Sequence, residues 1–270
     1  MISRRRFLTT AGVILTGAAG GEVSMFGQQP PASAGAIDPK LIEDLVAANR
    51  ILVQQGVNDG FGHVSLRHTQ NPNRFFLSRS LAPDLVTPDD LIEYDLDCTP
   101  VNLRGREQYS ERFIHGEIYR ARPDVRSVVH NHSPEVVPFS VSSVPLRPVY
   151  HMASFLGEGI PLFDIRKDFG ITEMLVNSAA RGRALAQTLA ARPAVLMRGH
   201  GVVVVGPSLQ FSVGRSVYLS MNAKVQAQAI GLGGTVTYLD PREAQAMLDA
   251  GENRGYERPW EMWKRQAMGR

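Results

Sequence analysis

The chain has 270 residues, 43% hydrophobic and 20% charged, which is ordinary for a globular protein and enough for a sizeable core. The formal net charge is +3, but Arg4, Arg5, Arg6 and Glu22 all fall in residues 1–36, so the rest of the chain is close to +1. With its lysines and arginines scattered and no interleaved aromatic stripe, the chain is not read as a nucleic-acid binder, and it has no low-complexity tract or fixed repeat.

Ser3-Arg4-Arg5-Arg6-Phe7-Leu8 has the twin-arginine export pattern. The apolar run that follows, 7–19, is too short and too rich in Gly and Thr for a stable membrane span. Ala32-Ser33-Ala34 and Ala34-Gly35-Ala36 offer small-residue cleavage sites. Residues 1–36 therefore read as a signal and spacer, and the protein as periplasmic. Cys98 is the single cysteine, so no intramolecular disulfide is possible, which suits folding in the cytoplasm before export.

After this arm, Asp38 and Pro39 should open a helix whose apolar stripe includes Leu41, Leu45 and Leu52 and which ends at Gly56. Short strands are expected at 63–67, 74–78 and 92–96, with a one-turn helix at 87–90. Ser110 reads as the N-cap of a helix running to about Arg122, followed by a buried strand at 125–130 and a short helix capped by Ser133-Pro134. A helix at 178–191 precedes paired strands at 194–197 and 202–205, then helices at 209–230 and 241–248. The last twenty residues, with Trp260 and Trp263, read as a docked tail. Short strands mixed with helices at irregular spacing predict a single α/β domain, a central sheet flanked by helices. The expected divisions are 1–36, the domain at 37–252 and the tail at 253–270.

Of the seven histidines, three have chemical context. His130 and His132 stand two apart where an apolar strand runs out, so both imidazoles point to one face. His200 sits between Gly199 and Gly201 in a turn joining two apolar strands, where glycine allows a sharp turn and close approach. Together they would make a three-nitrogen site with an open position, as in catalytic zinc sites. Taken singly, each motif also fits an ordinary core or surface histidine. Glu111 lies in the first turn of a predicted helix, either as plain helix-start chemistry or as a carboxylate that binds an ion or moves protons.

Ser110-Glu111, then 119–124 (Tyr-Arg-Ala-Arg-Pro-Asp), then 128–134 (Val-Val-His-Asn-His-Ser-Pro) resemble the core of the class II aldolase/adducin family. The segment 197–206, around Gly199-His200-Gly201, resembles that family's third-histidine segment. The resemblance runs from about 38 to 250. It implies an α/β/α sandwich around a mostly antiparallel sheet, and tetramers with sites near subunit interfaces. It also implies a divalent metal held by His130, His132 and His200, zinc first, with manganese, magnesium or iron as alternatives. Glu111 would be the acid/base and a further ligand of the empty site. The metal would polarise a small-molecule substrate's carbonyl and stabilise an enolate.

Three departures bear on substrate. The family's Gly-Asn-x-Ser phosphate loop is here Gly62-His63-Val64-Ser65, and its Thr-x-Ser-Gly loop is Leu77-Ser78-Arg79-Ser80. Its tyrosine proton donor, supplied by a neighbouring subunit, falls near His151, with Tyr150 just before it. His63, Ser65, Ser78, Ser80 and Ser110 become the expected substrate contacts, and Tyr150 and His151 further catalytic residues. The segments 147–152 and 155–157 are similar to members that decarboxylate hydroxylated aromatic acids or ring-cleavage products. The implied function is a metal-dependent carbon–carbon lyase, aldolase or decarboxylase, acting on a small hydroxy or oxo carboxylate or carbonyl compound. The alternatives are a non-catalytic adducin-like interaction module and a non-haem iron oxygenase.

Overall fold

A computed structural model of the chain describes residues 29–157, 159–251 and 256–269. The twin-arginine stretch and its apolar run lie outside the described residues. No described helix is long and apolar enough to cross a membrane.

Seven strands form one sheet: β1 His63–Arg67, β2 Arg74–Ser78, β3 Leu91–Asp95, β4 Ser127–Asn131, β5 Leu162–Phe163, β6 Ala194–Met197 and β7 Gly201–Gly206. Their order is β3-β2-β1-β4-β7-β6-β5, and every neighbouring pair is antiparallel except β5 with β6. Side chains alternate across a strand, so each central strand feeds two cores. Val64, Val129, Val202 and Val204 face one apolar cluster; Val128, Val203 and Val205 face the other.

Helices α1 (Pro39–Gln54), α6 (Leu209–Gly231) and α8 (Glu257–Ala267) contribute Leu45, Val213 and Trp263 to the first core. Helices α2 (Arg112–Ala121) and α5 (Ala179–Leu189) contribute Ile114, Ile118 and Leu185 to the second. The result is the expected α/β/α sandwich. The smaller helices are α3 (Val137–Val141), α4 (Arg166–Phe169) and α7 (Pro241–Asp249).

Local chemistry sets most of the boundaries. Asp38 accepts from the Lys40 N–H at 2.9 Å with Pro39 at the first helical position, and Ser178 and Ser208 cap α5 and α6 the same way. Ser110 does not cap α2, contrary to expectation. Glu111 is the residue at that position, and its side chain makes no capping bond because it is turned towards the histidines.

Arg67, almost wholly buried, anchors the end of α2. Its guanidinium donates to the carbonyls of Pro72, Tyr119, Arg122 and Val125 and lies 4.6 Å over the Tyr119 ring. The expected tail is α8, which packs on α1 through a Lys264–Asp44 ion pair of 2.6 Å and buries Trp260 and Trp263. At the other end, Ala32–Gly35 is tied to the sheet. Glu93 accepts from Ser33 Oγ and from the Ala34 N–H, and Arg74 donates to the Ala32 carbonyl.

Candidate metal centre

Strands β4 and β7 carry the site between them. His130 is the fourth residue of β4 and pairs with Val203, so its ring leaves the sheet on the side of α2 and α5. His132 follows one residue past the strand with the same parity. His200 closes the turn from β6 into β7. Gly199 there has φ +61°, a conformation that favours glycine. Gly201 lies against the Asn131 carbonyl, where a β-carbon would collide with backbone. The two glycines thus bring the third imidazole onto the other two.

The rings meet through the same atom. His132 Nε2 lies 3.1 Å from His130 Nε2 and 3.1 Å from His200 Nε2. Glu111 Oε2 lies 3.5 Å from both His130 Nε2 and His200 Nε2, and the four ligand atoms all fall within 4.8 Å of one another. Zinc–nitrogen bonds of about 2.0–2.1 Å at tetrahedral angles hold their nitrogens about 3.4 Å apart, so this spacing suits one divalent ion.

The far nitrogens fix the protonation. His200 Nδ1 donates to the Met174 carbonyl at 3.0 Å and His130 Nδ1 to the Val202 carbonyl at 3.3 Å. A neutral imidazole with its proton on Nδ1 leaves Nε2 as a bare lone pair. Burial and neighbouring imidazoles hold His132 down to about 4, and burial also lowers His200. Three Nε2 atoms crowded on one point, with the far nitrogens of His130 and His200 tied to carbonyls, suit a shared metal ion. For Glu111, burial raises the carboxyl, but the hydrogen bond and charge of His130, the charge of His200 and the Val176 N–H outweigh it and hold it at about 2. That N–H reaches Oε1 at 2.8 Å, which leaves Oε2 facing the histidines.

These groups open into a cavity of about 260 Å³, lined also by Phe61, His63, Ser80, Tyr109, Ser110 and Leu175. Two larger hollows, of about 460 and 420 Å³, contain none of these groups. The structure therefore gathers Glu111, His130, His132, His200, His63, Ser80 and Ser110 around one space. It does not bring Ser65 or Ser78 there. Ser65 is fully buried, with its Oγ spent on His115 and Tyr119 at 2.6 and 2.7 Å, and Ser78 is sealed within β2. Neither serine lines the cavity of this chain. Tyr150 and His151, at the start of a 3-10 turn (His151–Leu156), do not line this cavity within one chain.

The sequence reading missed His115 and Tyr119. Their signal was present: Glu111, His115 and Tyr119 recur every four residues, one stripe of α2 facing β1. Met174 and Val176, which hold His200 and Glu111 through backbone groups alone, leave no such trace in side-chain chemistry.

The comparisons with known proteins agree with this geometry. The family model for the class II aldolase and adducin N-terminal domain matches residues 43–227. The decarboxylase tropJ of Talaromyces stipitatus is 36% identical over 247 residues, covering 83% of this chain and 93% of that protein. The 3,4-dihydroxyphthalate decarboxylase of Rhodococcus jostii is 28% identical over 220 residues, 76% of this chain and 87% of its own. Among solved structures, the L-fuculose 1-phosphate aldolase from Glaciozyma antarctica PI12 superposes with a TM-score of 0.72 at 26% identity, covering 89% of this chain and 95% of the other. With the match spanning both histidine segments and Glu111, the chain belongs to the class II aldolase and adducin family.

Proposed function

We propose that the protein is a metal-dependent carbon–carbon lyase, and specifically a decarboxylase of small hydroxylated or oxo carboxylates. Its family and its decarboxylase and aldolase relatives support an enzyme of the lyase kind. The observation that carries the metal reading is the convergence of three imidazole nitrogens and one carboxylate oxygen within 4.8 Å. A decarboxylase is favoured over a sugar-phosphate aldolase because no described residue lining the cavity is Lys or Arg, the usual partners of a phosphate.

His130, His132 and His200 would hold the ion, zinc before manganese, magnesium or iron. A bound divalent ion supplies a Lewis acid for the substrate oxygen that gains negative charge when a bond next to a carbonyl breaks. Glu111 Oε2 is ionised near neutral pH and stands where it can take a proton and return it to carbon once carbon dioxide has left. Ser80 and Ser110 offer hydroxyls to the carboxylate from the cavity wall. We further infer a homo-oligomer, a tetramer by family likeness, in which Tyr150 or His151 of a neighbouring chain completes the site. The protein is exported by the twin-arginine route to the periplasm.

The test is metal content together with product analysis. Purified protein should hold one divalent ion per chain, and single changes of His130, His132 or His200 to Ala should lower occupancy and activity together. Hydroxylated aromatic acids should release carbon dioxide, whereas sugar phosphates should yield no aldehyde. Protein that holds no metal and gains no activity with any divalent ion would sink the reading.

A further inference from the structure

A hydrogen-bonded chain of buried side chains starts in the cavity and ends in the protein interior. His63 Nδ1 lies 2.7 Å from His115 Nε2, His115 Nδ1 lies 2.6 Å from Ser65 Oγ, and Ser65 Oγ lies 2.7 Å from the Tyr119 hydroxyl. All four side chains are buried between β1 and α2, beside the ring of Phe75. Only His63 reaches the cavity, with its ring 5.1 Å from that of His130 and 4.5 Å from that of Tyr109. A hydrophobic layer would be the ordinary content of such a place, so four linked polar groups need an account.

The chain has a preferred polarity. The two rings share one N···N contact of 2.7 Å, which holds a single proton, and among the described residues no hydrogen bond to a carboxylate holds a charge on either buried ring. Each ring therefore has one proton to place, and each hydroxyl has one. If the protons pointed inward, Tyr119 would be left to donate to the Arg126 carbonyl at 3.5 Å, a poor bond for a buried hydroxyl. If they point outward, Tyr119 donates to Ser65, Ser65 to His115 Nδ1, and His115 Nε2–H to His63 Nδ1. Every short contact is then a proper hydrogen bond, and the remaining proton of His63 sits on Nε2.

We propose that the Tyr119–Ser65–His115 chain locks His63 as a neutral Nε2–H donor facing the cavity, and that this donor selects substrates with a carboxylate beside the metal-binding oxygen. His63 is the residue that touches substrate. His115, Ser65 and Tyr119 are positioning residues. The proposal rests on the decarboxylase reading for its substrate class, but the polarity of the chain stands without it. A neutral donor suits a carboxylate, keeps no charge of its own beside a metal, and offers a phosphate dianion no cation.

Two measurements test it. The first is nitrogen-15 magnetic resonance of histidine-labelled protein as purified, with His63 assigned by its loss in His63→Gln. The expected spectrum has His63 protonated on Nε2 and bare on Nδ1, and Tyr119→Phe should mix the two tautomers. A His63 proton on Nδ1 in the wild type overturns the proposal, whatever the variants do.

The second compares 2,3-dihydroxybenzoate, whose carboxylate stands next to a catechol oxygen, with catechol as ligands of the zinc-loaded protein. Wild type should bind the carboxylate about tenfold more tightly, the scale of one hydrogen bond to a charged group. His63→Leu should erase that margin with zinc content unchanged, and His63→Gln, which keeps an N–H, should retain much of it. Equal affinity for both ligands in the wild type overturns the substrate class. Failure to bind zinc at all would instead strike the metal reading, and the tautomer spectrum would still decide the polarity of the chain.

Discussion

Glu111→Gln keeps the shape of the side chain and removes its capacity to take up and return a proton. His130, His132 and His200 should still hold the metal, while turnover falls by ~10²–10⁴-fold, the usual loss of a general acid/base. Metal content and turnover measured side by side check this, and a metal-loaded variant with wild-type turnover would reduce Glu111 to a helix-start residue. His115 gives a pH signature of its own. Burial, then the charge of His130, hold its folded value at about 3 against 6.5 for the free side chain. Between those values the unfolded chain binds a proton that the folded chain refuses, so stability rises with pH. In metal-free protein it should fall as pH drops from 6.5 towards 3, by at most about 1.4 kcal/mol per pH unit from this residue. Urea unfolding across that range should show the slope. His115→Gln should shrink it without removing it, because His63 and His132 are also held low.

At the level of elements, the pairing of β4 with β7 is what converts sequence into a site. Gly201→Ala would push a β-carbon into the Asn131 carbonyl, between His130 and His132. The expected cost is about 1–3 kcal/mol, the range for overpacking, with weaker metal retention. Thermal unfolding and metal titration of the variant check both, and an unchanged melting temperature would show that the turn relaxes freely. The same elements show what a sequence can and cannot carry. Strands β1 and β2 and the ends of α1 follow from alternation, caps and Gly56, because those signals are local. The three clustered histidines are legible because their spacing and glycine flanks are local too. Ser65 and Ser78, carried over from the family's Gly-Asn-x-Ser and Thr-x-Ser-Gly loops, lie within β1 and at the end of β2 and do not line the cavity, a depth that a motif match does not encode. The short β5 and α4 have too few residues to show a period, and the 170–177 segment acts through backbone carbonyl and N–H groups that any sequence possesses.

For the molecule as a whole, the twin-arginine reading makes a prediction independent of catalysis. Replacing Arg4 and Arg5 with Lys should leave the protein folded in the cytoplasm, because the sandwich is built by elements from Pro39 onwards. Fractionation of cells checks it, and an unchanged periplasmic yield would reject this route. The sandwich itself has a further property. Helix α8 completes the core that α1 begins, through Trp260, Trp263 and the Lys264–Asp44 pair. During synthesis at roughly 5–20 residues per second, α1 emerges on the order of 10–40 s before α8 exists to cover it. For that interval the stripe containing Leu45 and Leu52 is an exposed apolar surface that a holding chaperone can occupy. Under the proposed twin-arginine route, which carries folded cargo, export would wait for the docking of Glu257–Ala267, far from the signal that requests it.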